Sequence, residues 1–145
     1  MHAMPSLFRT TRLVEFHDTD MAGIMHFASF FHYMESAEHE LIRSIGFSVH
    51  LPVDDQLLSF PRVSAACDYQ SPARSEEILD IGVSLTKIGN KSLHYRFDFT
   101  HEGRPVATGR ITSVCCRVTP GQPMVSVALP DEIREKLGEF LICVE

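Results

Sequence analysis

Residues 27–45, FASFFHYMESAEHELIRSI, carry an apolar face too broad for a single flat contact. Stepped at about 100° per residue, Phe30, Phe31, Met34, Ala37, Leu41 and Ile45 all fall within about 80° of Phe27. His32, Ser36, His39, Glu40 and Arg43 lie on the opposite side, and Gly46 is a natural C-terminal stop. The spacing predicts a long helix from Phe27 to about Ile45 that the rest of the chain must wrap. Glu38 falls inside the stripe, so its carboxylate has to find a partner or hold its proton more tightly than usual. A glutamate paired to an arginine, one facing a subunit interface and a catalytic glutamate all fit that position.

The rest of the chain supplies strands. Leu7 to Phe16 has aromatic and β-branched character, and Leu57 to Tyr69 reads as a second strand. Ile78 to Ile88 alternates Leu79, Ile81, Val83 and Leu85 against polar or small neighbours, and Gly89-Asn90 marks a turn. Ser92 to Thr100 alternates strictly, Glu102-Gly103 turns the chain again, and Val106 to Val118 forms a long last strand. Pro120-Gly121-Gln122-Pro123 breaks it. Pro130-Asp131-Glu132-Ile133 then starts a short helix with Ile133, Leu137, Phe140 and Leu141 on one face. The expected class is α+β: an antiparallel five-stranded sheet around one long central helix, with a short C-terminal helix. Residues 1–145 are expected to form a single domain, with 1–6 disordered or foreign to it and Met4 an alternative start.

Composition narrows the function. A net charge of −6, with lysines and arginines scattered, disfavours a nucleic-acid partner, which requires a basic face. No apolar run approaches the roughly 20 residues of a membrane span, and no signal-peptide pattern opens the chain. A cytoplasmic protein is expected. Cys67, Cys115, Cys116 and Cys143 have neither C-x-x-C nor disulfide-framework spacing, so they read as small buried apolar groups.

The chemistry concentrates in FHDTDMAGIMHFASFFHYME, residues 16–35. A calcium loop starting at Asp18 would need an oxygen ligand at Ala22 and a glutamate at Ser29, so that reading fails. His26, His32, Glu35, Glu38 and His39 are ligand-type residues, but they lack H-E-x-x-H spacing and a polar helix face explains His32 and His39. No metal is expected. Asp20 sits in a glycine-containing loop just before the helix, whose first backbone N–H groups carry partial positive charge. A carboxylate facing such donors has the two parts of acyl transfer, a nucleophile or general base and an oxyanion donor. Equally, Asp18 or Asp20 could serve only to stabilise the turn and the start of the helix.

Together these segments resemble the hotdog-fold thioesterases of the 4-hydroxybenzoyl-CoA thioesterase type. The resemblance rests on Asp18-Thr19-Asp20-x-Ala22-Gly23-Ile24, then an aromatic-rich helix with acidic Glu35. It continues through Asp68-Tyr69-x-Ser71-Pro72-Ala73-Arg74, Ile78-Leu79-Asp80-Ile81 and Lys91-Ser92, over residues 7 to 118. It implies Asp20 as catalytic carboxylate, the Phe27 N–H as the carbonyl-polarising donor and Gly23 as the residue that lets the loop turn tightly. It also implies CoA-thioester substrates, no cofactor or metal, and homodimers or homotetramers with sites at the subunit interface. Many relatives carry tyrosine or tryptophan where this chain has His26, and Ser75-Glu76-Glu77 replaces a common Tyr-Gly-Asp. His26 is therefore included among the candidate site residues. Arg74, Lys87, Lys91 and Ser92 are the candidates for CoA contacts. The leading expectation is an acyl-CoA thioesterase acting on a CoA or carrier-linked thioester. The alternatives are a non-catalytic acyl-CoA or acyl-carrier binding module, and a hotdog dehydratase or hydratase with His26 as base.

Overall fold

The computed structural model describes residues 7–53 and 56–142. The first six residues, Asp54, Asp55 and Cys143 therefore lie outside the described residues, together with what was expected of them.

The main sheet has five strands: β1 (Phe8–Leu13), β4 (Arg62–Tyr69), β5 (Ile78–Ile88), β6 (Ser92–His101) and β7 (Arg104–Val114). They are ordered β1-β5-β6-β7-β4, every pair antiparallel. Between β1 and the sheet's other strands in sequence comes α1 (Ser29–Ser44), which lies in the concave side of the sheet. Alternation decides which face each strand buries: Leu79, Ile81, Val83 and Leu85 of β5 and Leu93, Tyr95, Phe97 and Phe99 of β6 all point to the helix side and are essentially inaccessible. At Gly109 a Cβ would come within 2.6 Å of Met34 Sδ, so any side chain there would have to displace the methionine.

Several boundaries differ from expectation. The helix begins at Ser29 rather than Phe27, because Phe27–Ala28 form a turn in front of it. Of the expected stripe, Phe30, Met34, Ala37 and Leu41 are buried, joined by Tyr33, Glu38 and Ile42, while Phe27 is 63% exposed. Leu57 to Tyr69 is two strands, β3 (Gln56–Ser59) and β4, interrupted at Phe60-Pro61, where proline removes a ladder donor. Val106 to Val118 is likewise split into β7 and β8 (Cys116–Val118). At the break the Cys115 N–H donates to Lys91 O and its carbonyl accepts from Val127 N–H. Both breaks have one cause, a transfer of the chain into a second small sheet that periodicity does not announce. That sheet is ordered β2-β3-β8-β9, with β2 (Leu51–Val53) and β9 (Val125–Ser126). Cys115 and Cys116 are consequently both buried, rather than pointing to opposite faces of one strand.

The first strand stops at Leu13, and Phe16 belongs to a 3-10 turn (Phe16–Asp18) with its side chain 85% exposed. The C-terminal helix α2 (Asp131–Leu137) buries Ile133 and Leu137, as expected. It ends before Phe140, which reaches the core through a following 3-10 turn and packs edge-on against Phe8 at 6.5 Å. Among the described residues no helix is long and apolar enough to cross a membrane.

Candidate active site

The loop between β1 and α1 holds two aspartates with different surroundings. Asp18 is occupied structurally. Its Oδ2 accepts the Tyr33 hydroxyl at 2.5 Å and the Glu15 N–H at 3.1 Å. Its carbonyl accepts the His26 N–H at 2.7 Å and the Ser29 hydroxyl at 3.1 Å. One residue thus ties the strand end, the loop and the first turn of the helix together. Burial, followed by the neighbouring Asp18 carboxylate, pushes the Tyr33 phenol far above its ordinary value, so it remains a donor.

Asp20 is held but not consumed. Its N–H donates to Ile24 O at 2.9 Å, its carbonyl accepts the Gly23 N–H at 3.0 Å, and its Oδ1 accepts the Ala22 N–H at 2.8 Å. Gly23 adopts φ +79°, which a side chain would strain, and this closes the turn. Asp20 Oδ2 has no hydrogen-bond partner among the described residues. Two cavities meet at this carboxylate. One, about 510 Å³, is mostly apolar and includes Asp20, Met25, Phe27, Phe30, Tyr69 and Ala73 in its lining. The other, about 480 Å³, is lined by Phe16, Thr19, Asp20, Met21, Gly23 and Ser75.

The donors at the start of the helix are fewer than a free helix end would offer. The Ala28 N–H donates to His26 Nδ1 at 3.1 Å, and the Ser29 N–H donates to His26 O at 3.0 Å. The Phe27 N–H has no acceptor among the described residues, so it is left available beside the apolar cavity. Phe27 is fixed from its other side, since its carbonyl accepts the Tyr69 hydroxyl at 2.8 Å. Tyr69, pushed up to about 12 chiefly by burial, also packs edge-on against Phe30 at 5.2 Å. Sequence reasoning assigned Tyr69 no role. It stood within the Asp68-Tyr69-x-Ser71-Pro72 segment, but its reach to Phe27, 42 residues away, is a tertiary fact.

His26 stacks on the Phe27 ring at 4.6 Å and lines neither cavity. With Nδ1 accepting from Ala28, the proton of the neutral ring sits on Nε2. That makes the imidazole a brace of the turn before the helix and leaves Nε2 as its donor, a poor arrangement for a general base. His32, Glu35 and His39 are not brought within ligand distance of one another; the group that is, Glu15, His17 and Asp18, includes the aspartate already bonded to Tyr33. Glu38 is 3% exposed and faces Arg62, whose Nη2 stands 2.9 Å from Glu38 Oε2.

The expected CoA contacts are dispersed. The Arg74 side chain is exposed at the Ile78 end of β5, on the Asp20 side of the sheet. Lys87, Lys91 and Ser92 lie at the opposite end of that strand, roughly 30 Å away at about 3.4 Å per residue. A single chain does not bring them to Asp20. The segment Ser71–Ala73 is held instead by Arg104, which donates to Ser71 Oγ and Pro72 O and pairs with Glu77 at 3.5 Å.

The family model of the thioesterase-like superfamily matches residues 14–137. A putative esterase of Aquifex aeolicus is 28% identical over 94% of this chain and 100% of its own length. The 1,4-dihydroxy-2-naphthoyl-CoA hydrolase of Synechococcus elongatus is 26% identical over 90% of this chain and 94% of its own. The crystal structure of the dynemicin thioesterase has the same fold, with a TM-score of 0.85 at 20% identity over 96% of this chain and 100% of the other. The apolar helix wrapped by its sheet, the Asp20 loop at the head of that helix and these likenesses agree: the chain is a hotdog-fold thioester hydrolase belonging to the thioesterase-like superfamily.

Proposed function

We propose that the protein hydrolyses an acyl-CoA or carrier-linked thioester to the free acid and thiol, with Asp20 as the catalytic carboxylate. One observation carries this reading: Asp20 has one oxygen fixed by Ala22, the other unpartnered, and borders both cavities. A thioester has an acyl arm and a thiol arm, and a reacting carbonyl placed at Asp20 has room for each. The free Phe27 N–H supplies the oxyanion donor. As nucleophile, Asp20 attacks the carbonyl carbon, the thiolate leaves, and water hydrolyses the resulting anhydride. As general base, it takes the proton from a water that attacks directly. Neither route calls for a metal or a cofactor. A thiolate leaves readily, so no strong acid is needed at the sulfur.

The protein is further proposed to act as a homodimer or homotetramer with sites at the subunit interface. Its edge strand β4 exposes most of its length, including Val63 at 63%. The β4–β7–β6 ladder places Arg62 at the same end of the sheet as Leu93, beside Ser92, and Tyr69 at the end near Asp20. Antiparallel pairing of two β4 strands brings the Lys87, Lys91 and Ser92 end of one copy toward the Asp20 end of the other. That arrangement supports CoA contacts from the second subunit, and sedimentation tests it.

The decisive assay is thiol release from short, long, branched and aromatic acyl-CoAs, with Asp20→Asn alongside. The variant is expected to lose at least about 100-fold in kcat while still binding CoA. Undiminished turnover by Asp20→Asn removes Asp20 from the mechanism. Tight binding with no thiol release from any substrate makes the protein a carrier instead.

A further inference from the structure

A third cavity, about 200 Å³, lies against the C-terminal half of α1, with Glu38, His39, His50, Ser59, Arg62 and Tyr95 among its lining. One of its polar atoms, on Glu38, is buried and short of a partner. Tyr95, 2% exposed, lines the cavity with it. Glu38 Oε2 lies close to Arg62, yet receives no aligned hydrogen bond. Arg62 spends one donor on Phe60 O, at 3.1 Å, and has others to spare. A buried ion pair with an unsatisfied carboxylate oxygen, beside a phenol and a cavity, is a poor way to stabilise a core and a good way to receive a polar ligand.

This cavity and the apolar cavity at Asp20 have no lining residue in common, but both lie along α1 and β4. At one end Phe30 of α1 packs on Tyr69 of β4, and at the other Glu38 of α1 meets Arg62 of β4. Between them β4 turns Ala65 and Cys67 toward the helix, since their ladder partners are Ile111 and Gly109 on the buried face. Both side chains are small, and in the single chain Ala65 is exposed and Cys67 half-buried, so no large side chain of β4 fills the seam between helix and edge strand there. Eight helical residues separate Phe30 from Glu38, a rise of about 12 Å, which an extended acyl chain of about ten carbons spans.

The geometry points to a substrate whose acyl chain runs from Asp20 along this seam and ends in a hydroxyl received by Glu38, Arg62 and Tyr95. This rests on the reading of Asp20 given above. A hydroxyl suits the pocket because it can donate to the Glu38 carboxylate and accept from Tyr95 or Arg62 at once. A terminal carboxylate would confront Glu38 and Glu35, with His39 kept uncharged by burial. A terminal ammonium would confront Arg62.

The test compares decanoyl-CoA with its terminally hydroxylated counterpart as substrates, and the two free acids as ligands by calorimetry. Wild type, Tyr95→Phe and Glu38→Gln are measured alike; Tyr95→Phe keeps the core ring and so protects the fold. The hydroxylated chain is expected to be preferred by about 10-fold or more, as one hydrogen bond to a charged group supplies, and each substitution is expected to shrink that preference severalfold. Equal handling of the two chains by wild type, or a preference surviving both substitutions, overturns the proposal. If no thioester releases thiol, the reading of Asp20 falls by itself, and binding of the free acids still decides whether the hydroxyl is recognised.

Discussion

Replacing Glu38 with glutamine should flatten the pH dependence of stability between about pH 4.5 and pH 7. Burial on α1 pushes the Glu38 carboxyl up from 4.5 to about 7; the Arg62 charge pulls the other way without matching it. A folded-state value raised above the unfolded one means that the folded protein holds this proton more tightly. Below about pH 4.5 both states are protonated and the contribution is fully present. As pH rises through 7 it is lost, because the ionised carboxylate is then buried beside an imperfectly aligned partner. The interval between 4.5 and about 7 corresponds to about 3 kcal/mol. Urea unfolding of wild type and Glu38→Gln at about pH 4.5 and about pH 8 measures it, since every other titrating group is common to both proteins. The variant is expected to gain about 3 kcal/mol relative to wild type between those two conditions. Arg62 stays partly hydrated when its partner is neutralised, because its side chain is 27% exposed. Parallel stability curves for the two proteins would show that Glu38 carries no raised value, and the argument from its burial would fail.

Tyr33→Phe keeps the ring, and with it the Arg12 guanidinium stacked 4.8 Å above, but removes the hydroxyl that holds Asp18. A loss of about 2 kcal/mol in chemical denaturation is expected, and an unchanged midpoint would show that Asp18 does not anchor the loop. Gly109→Val forces the buried Met34 side chain away from the face of β7 it covers. Its cost should reach about 1–3 kcal/mol by the same measurement.

Much of the fold can be read from local pattern. The stripe from Phe30 to Leu41 and the strict alternation of Ser92 to Thr100 each identify an element and its buried face, because periods of 3.6 and 2 are properties of the backbone itself. The Asp20-to-Gly23 loop is similarly local: the aspartate accepts a neighbouring N–H, and glycine alone takes φ +79° without strain. Where the chain leaves one sheet for another is different. Nothing in Leu57 to Tyr69 except Pro61 marks the change, because a strand's partner is chosen by contacts far away in sequence.

The same division runs through the site. Residue type and spacing pointed to Asp20 in its glycine-containing loop and to Glu38 as misplaced on its helix, while the family resemblance added the roles of Gly23 and the Phe27 N–H. Which aspartate is structural depended on Tyr33 reaching back to Asp18, and His26 became a brace of the turn before the helix only when Ala28 turned its N–H onto the ring. Lys87, Lys91 and Ser92 looked like companions of Arg74 in sequence, and the length of β5 put them at the other end of the sheet. The sequence by itself determined the central helix, most of the main-sheet strands and the loop on which the proposed chemistry rests. Only the tertiary structure decided which donors there remain free, what Glu38 meets and how the two cavities share Asp20. A hydrogen bond or an ion pair needs its partner within about 3 Å, and folding alone sets that distance for residues dozens of positions apart.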